Sequence, residues 1–262
     1  MGVRPAGEGL RRARREDLLA LPVEVAPRLL NARLRTVLDG EEVCLRITEV
    51  EAYHGKGVGP VEDPGSHARM GYTARNATMW GEPGHLYVYL SHGIHSCVNV
   101  VCGPEGTAGG VLLRAGEVEA GIRIAALRRG VPSVLKTDGA ETRASSGTMP
   151  EVRIPPEIGA RERRDLARGP GRFGQALGLR HPRHDGIDAI TGEEQAGARA
   201  ELWLADPVAE VAAGPRVGVA GAAGTAAFPW RFWIAGDPTV SPFRWGRGAE
   251  AAHREAGAGS GR

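Results

Sequence analysis

The chain has 262 residues, of which 42% are hydrophobic and 24% charged, with a formal net charge of +2. That length and balance suit one soluble domain with a sizeable core and argue against a disordered or strongly basic chain. No apolar run approaches the roughly 18 residues that mark a membrane span, and no signal-like apolar segment opens the sequence, so a cytoplasmic protein is expected.

Of the 33 basic residues, only Lys56 and Lys136 are lysines, which leaves 31 arginines. A genome rich in G and C produces that bias by itself, but arginine also suits bidentate phosphate contacts. Cys44, Cys97 and Cys102 form no metal-ligand spacing and no even disulfide set. They read as buried free thiols in a reducing compartment.

Residues 1–16 are rich in Gly and Arg and read as a mobile arm whose RRARR run is able to meet phosphate. Pro22, with Val23, Ala26, Leu29 and Leu30 at helical spacing, predicts a short helix over 22–31. VCLRITEVEAY (43–53) predicts a strand, followed by a long Gly- and Pro-bearing loop over 54–76. A loop of that length in a compact domain is usually functional or disordered.

HLYVYLS (85–91) and IHSCVNVVC (94–102) predict two strands joined at His92-Gly93. A strand is expected at 109–118 and a helix at 122–129. Residues 137–165 read as a flexible polar loop, and 171–179 as a short helix. ELWLAD (201–206), RVGVA (216–220) and RFWIAG (231–236) are strand candidates, and the tail over 246–262 reads as disordered. The expected class is α+β: a single domain over 17–245 with a curved, mostly antiparallel sheet, short helices and a protruding β-hairpin.

GVAGAAG (218–224) superficially suggests dinucleotide binding. Its spacing is G-x-x-G-x-x-G, and the residues that follow leave no room for a crossover helix before the next strand.

Three stretches concentrate reactive and aromatic groups. In ITEVEAYHG, period-2 geometry puts Ile47, Glu49, Glu51 and Tyr53 on one strand face. A carboxylate beside an aromatic can act as a general base under a stacking platform, and parity alone does not rank the two glutamates. In SHARMGYTARN, His67 either caps a pocket or faces solvent. In the hairpin, Tyr87 and Tyr89 share a face and His92 sits at the tip. A two-residue turn puts Asn99 on the opposite face. A three-residue turn over 92–94 pairs Tyr89 with Cys97 and brings Asn99 to the tyrosines.

The set ITEVEAYHG, SHARMGYTARN, PGHLYVYLSHGIHSCVNV, GGVLLRAGEV, GPGRFGQALGL and PRVGVAGAAGTAAFPWRFWIAGDPTVS resembles the alkyladenine (3-methyladenine) DNA glycosylase family, in order, from about residue 17 to 245. The resemblance implies a base-excision repair enzyme that flips an alkylated purine from double-stranded DNA and hydrolyses its N-glycosidic bond without a metal or other cofactor. It implies Glu51 as the water-activating base and Tyr53 as the stacking residue on one face of the flipped base. His67 and Tyr89 are the implied opposite wall, and Asn99 the implied screen against a guanine amino group. Arg114 would hold the catalytic water and the nucleotide phosphate, and the Val217 backbone carbonyl would touch that water. His92 stands where the family commonly has a tyrosine wedge, and His95 where an aromatic is frequent. With two lysines, neither in a motif suited to a Schiff base, a monofunctional enzyme that leaves an abasic site is expected. It is expected to act as a monomer, in the cytoplasm and associated with the nucleoid through DNA. The alternatives are a non-catalytic or RNA-directed binder on the same scaffold, or a small-molecule transferase, for which no phosphate cradle is evident.

Overall fold

The spine of the molecule is one 14-residue strand, Glu41–His54, flanked on both edges along its length. In the computed structural model, residues 9–132 and 158–259 are described. Their strands are β1 (Arg11–Arg12), β2 (Arg33–Leu38), β3 (Glu41–His54), β4 (His85–Ser91), β5 (His95–Val101), β6 (Gly109–Ala120), β7 (Ala167–Arg168), β8 (Ile187–Asp188), β9 (Ala198–Leu204), β10 (Val211–Gly214) and β11 (Arg231–Ile234). They form a single curled sheet in the order β1-β9-β2-β3-β6-β5-β4-β8, with the β10–β11 pair added to β3 and β7 to β6. Every ladder among them is antiparallel. The helices are short: α1 (Pro22–Val25), α2 (Ile122–Arg128), α3 (Ala160–Asp165), α4 (Pro170–Leu177) and α5 (Ala249–Gly259). The α+β expectation holds.

Alternation decides which face is core. Leu86 and Val88 of β4, Val98 and Val100 of β5, and Val111 and Leu113 of β6 pack into one cluster with Phe173 and Leu177 of α4. Their neighbours in sequence point to the other face, which carries the site. In β3 the core residues are Val43, Leu45 and Ile47, and then Val50 and Ala52. The parity switches because the β3–β6 register shifts on either side of Glu49, leaving Thr48 and Arg114 without opposite partners. An extra residue in a strand reverses the facing of all that follow. Ile47 therefore does not share a face with Glu49 and Glu51, contrary to the simple period-2 reading. The bulge lets one strand fill the core with its first half and the site with its second.

Several boundaries differ from expectation. The helix expected over 22–31 is α1 followed by a 3-10 turn, Ala26–Leu29, because Pro27 cannot continue an α-helical ladder. Within the expected arm, Arg11–Arg12 pair with β9 and Arg15–Leu18 form a 3-10 turn, tied down by Arg11 on Asp17 and Arg15 on Asp188. Residues 1–8 lie outside the described residues. So do residues 137–157 of the expected flexible loop, while Ala160–Asp165 is helical. The expected strand 216–220 is a turn, because its backbone bonds to Glu51 and to the Arg244 carbonyl instead of to a ladder neighbour. The tail read as disordered contains α5, anchored by buried Ala249. The sequence reading left β2 unassigned. Arg33 and Arg35 obscure its alternation, and they are satisfied by Glu119, Glu42 and Glu201.

Candidate active site

The strand order converts distant sequence positions into one row. Cross-strand partners run Arg231, Glu51, Leu112, Asn99, Tyr87 from β11 through β3, β6 and β5 to β4. Neighbouring strands lie about 4.8 Å apart, so these side chains stand side by side on the face away from the core. The hairpin register produces this row. Tyr89 pairs with Cys97 and Tyr87 with Asn99, and residues 92–94 make a three-residue turn closed by the Ile94 amide donating to the Ser91 carbonyl at 3.0 Å. His92 (φ 49°) and Gly93 (φ 70°) both take left-handed backbone there. Glycine adopts that conformation freely, and His92 is held in it at the exposed tip.

The two glutamates that sequence parity could not rank have different surroundings. Glu49 is fully buried and accepts four hydrogen bonds: from Arg114 Nε at 2.9 Å, Arg231 Nε at 2.7 Å, and the Ser241 amide and hydroxyl at 2.7 and 3.0 Å. A carboxylate accepts about four such bonds, so Glu49 is saturated. Burial opposes its ionisation, but Arg114, Arg231 and the Ser241 donors outweigh that and hold its carboxyl below the ordinary value.

Glu51 is equally buried but lines the open cleft. Three donors reach it: the Tyr53 hydroxyl at 2.8 Å, Arg114 Nη1 at 3.3 Å and the Val217 amide at 2.6 Å. Room remains for one further donor from the cleft. Arg114 bridges both glutamates and Ser241, and the two carboxylates keep its guanidinium charged despite burial. Burial first, and then the Glu51 charge, push the Tyr53 hydroxyl well above the usual phenol value, so it stays a donor.

Aromatic groups wall the cleft. The His67 ring meets Tyr89 edge-on at 4.6 Å, and Tyr89 stacks on Tyr87 at 5.4 Å. Asn76 holds the His67 backbone by donating to its carbonyl at 3.1 Å. Burial, reinforced by the charges of Arg75 and Arg69, lowers the His67 pKa and keeps the imidazole neutral. Asn99 donates from Nδ2 to the Tyr87 carbonyl at 3.1 Å, which fixes its amide in the row. The whole cleft has a volume of about 1320 Å³, and Arg129, Arg168, Arg172, Arg244 and Arg247 add positive charge to its lining.

All eight residues singled out from the sequence (Glu51, Tyr53, His67, Tyr89, His92, Asn99, Arg114 and Val217) line this one cleft, as does His95. Sequence reasoning missed the support beneath it. Arg216 is wholly buried, pairs with Asp63 at 2.7 and 2.8 Å, and lies 4.6 Å over the Tyr53 ring and 5.1 Å from that of Trp230. It ties the loop after β3 to the turn carrying Val217. No local pattern links residues 63 and 216; only position next to Val217 hints at the arginine. Ser241 and Arg231 were missed for the same reason. The three cysteines are buried and free. Burial raises all three thiols, Cys44 to about 12, which keeps them protonated.

A buried carboxylate with one open acceptor position, an aromatic slot beside it and arginines around the cleft are the parts of an enzyme that hydrolyses a bond in a nucleic acid. The sequence pattern of the methylpurine-DNA glycosylases (MPG) matches residues 17–238, and the chain belongs to that family. It is a DNA N-glycosylase of base-excision repair. Among its relatives, a protein of Leifsonia xyli is 46% identical over 230 residues, covering 88% of this chain and 92% of the relative. One of Streptomyces avermitilis is 44% identical (87% and 90% covered), and one of Nocardia farcinica 43% (87% and 90%). All three carry the name "Putative 3-methyladenine DNA glycosylase". Among the described residues, no helix is long and apolar enough to cross a membrane.

Proposed function

We propose that this glycosylase removes alkylated purines of the 3-methyladenine type from double-stranded DNA, acting as a monomer in the cytoplasm and leaving an abasic site. The observation that carries the reading is the contrast between Glu49, which accepts four hydrogen bonds away from the cleft lining, and Glu51, which lines the cleft and accepts three.

The flipped base stacks on Tyr53 and lies against His67 and Tyr89. Extrusion costs a few kcal/mol, and stacking returns about 1–3 kcal/mol per base. A cationic purine gains about 0.5–2 kcal/mol more over tyrosine faces, which favours alkylated over normal bases. His67, being neutral, does not repel that cation. Asn99 presents a fixed amide to the purine edge and screens against a guanine amino group.

In the reaction a water donates to Glu51, and its oxygen adds to the sugar C1′ as the N-glycosidic bond breaks. The bonding electron pair leaves with the base, which departs neutral if it entered cationic. The water's proton passes to Glu51 and then to solvent. The carboxylate also stabilises the oxocarbenium-like charge on the sugar. Arg114 holds Glu51 against that water and reaches the nucleotide phosphate, while the Val217 amide orients the carboxylate and its carbonyl contacts the water. No lysine amine is needed, so the strand remains uncut. Incubation with duplexes bearing 3-methyladenine, 7-methylguanine, ethenoadenine or hypoxanthine tests this. Free base should appear with the strand intact until alkali is added. Absence of release from every duplex, or strand cleavage without alkali, would sink the reading.

A further inference from the structure

The match to the family ends at residue 238, yet the cleft continues beyond it. Ser241, Pro242, Arg244, Trp245, Gly246 and Arg247 form part of its wall. This segment lies directly on the turn that supports Glu51. The Gly218 amide donates to the Arg244 carbonyl at 2.9 Å, and the Gly221 amide to the Arg247 carbonyl at 3.0 Å. Gly246 approaches so closely that a Cβ there would stand 2.0 Å from the Val219 carbonyl oxygen, so only glycine allows the two backbones to meet. Trp245 is clamped between Phe243, edge-on at 4.8 Å, and His253 of α5 at 5.1 Å. Ala249, buried at the start of α5, packs against Gly224. The backbone of 244–247 is thus held from both sides.

The side chains of Arg244 and Arg247 are exposed, and among the described residues neither has a carboxylate or hydrogen-bond partner. Arginines around the β1, β2 and β3 edge behave differently: Arg11, Arg12, Arg33, Arg35 and Arg46 are all in ion pairs. An unpaired guanidinium held on rigid backbone beside a nucleic-acid cleft is suited to grip phosphate bidentately. We infer that Arg244 and Arg247 form a phosphate clamp on the DNA backbone beside the flipped nucleotide, mounted on α5 through the Trp245–His253 contact. The inference rests on the proposed function only in that it needs DNA in the cleft.

The test is the salt dependence of binding, measured on undamaged and on lesion-bearing duplexes. Each phosphate contact contributes about 0.9 to the slope of log affinity against log salt. Arg244→Ala/Arg247→Ala should therefore flatten the slope by about 2 and weaken binding to both duplexes alike. Arg199→Ala, which removes an exposed charge paired with Glu194 on distant β9, should leave the slope unchanged. If the double variant keeps the wild-type slope and affinity, or if Arg199→Ala flattens the slope as much, the clamp is overturned. If wild type binds duplex with the expected slope loss in the variant but releases no base from the lesion duplex, the clamp stands and the proposed removal of alkylated purines falls. If wild type binds no duplex, both fall.

Discussion

Glu49 and Glu51 stand two residues apart on β3 and share Arg114, yet their surroundings differ, and the proposed function gives them different tasks. Glu51→Gln keeps the shape but cannot take a proton, so base release should fall by about 10²–10⁴-fold with binding to lesion duplex largely kept. Glu49→Gln instead leaves Arg114 and Arg231 buried without their shared counter-charge. Breaking such a pair costs about 3–5 kcal/mol, so its defect should appear first as a lowered denaturation midpoint. If Glu49→Gln unfolds like wild type and loses activity while Glu51→Gln stays active, the assignment is reversed. The lowered Glu49 pKa has a further consequence. A carboxyl depressed in the folded state stabilises fully above its unfolded value, near 4.3. That contribution disappears as pH falls through the lower folded value. Glu49 therefore favours folding at neutral pH and adds to acid unfolding only below about pH 4.

At the scale of the element, the β4–β5 hairpin both aligns Tyr87 with Asn99 and projects His92. Its tip is exposed, and Ile94 beside His92 is 72% exposed. An imidazole has less stacking area than a phenol, so His92 should fill the gap left by a flipped nucleotide less well than tyrosine would. His92→Tyr should tighten binding to a lesion duplex, and His92→Ala should weaken it and slow single-turnover base release. Equal affinity and rate for wild type and alanine would remove His92 as the wedge and turn attention to Ile94 or His95. The turn itself is also open to test. A Cβ at Gly93 would meet no neighbour, but the residue has φ 70°. Gly93→Ala should thus cost about 1–2 kcal/mol through backbone strain alone. Calorimetry would show it, and an unchanged midpoint would mean that the tip relaxes.

For the molecule as a whole, three histidines set the response to mild acid. His54, His67 and His184 all have pKa values lowered, in each case by burial first. The unfolded chain takes up protons near pH 6.5 that the folded chain refuses, so stability should fall as pH drops from about 7 to 5.5. Thermal unfolding at those two values checks the sign: a midpoint that is flat or higher at the lower pH would contradict it. The net charge of +2 conceals the DNA-facing character, because many arginines are neutralised in ion pairs while Arg244 and Arg247 line the cleft with no carboxylate partner among the described residues.

Alternation by itself marked β3, β4, β5, β6, β9 and β11, the tyrosine face of β4 and the α+β class, because side-chain period is a local property of the backbone, but not β2. The motif set likewise marked the eight residues from Glu51 to Val217 singled out as site residues, all of which line the cleft. Tertiary structure alone decided what depends on partners far along the chain. The bulge at Thr48 moved Ile47 into the core, and the three-residue turn brought Asn99 to the tyrosines. Glu49 became saturated through Ser241, 192 residues away, while Glu51 kept an acceptor position open. Arg216 turned inward to Asp63, and the backbone of 217–218 bonded to Glu51 and Arg244, which made 216–220 a turn. A carboxylate's role is set by how many of its lone pairs are already taken, and the donors that take them are gathered only when the sheet closes.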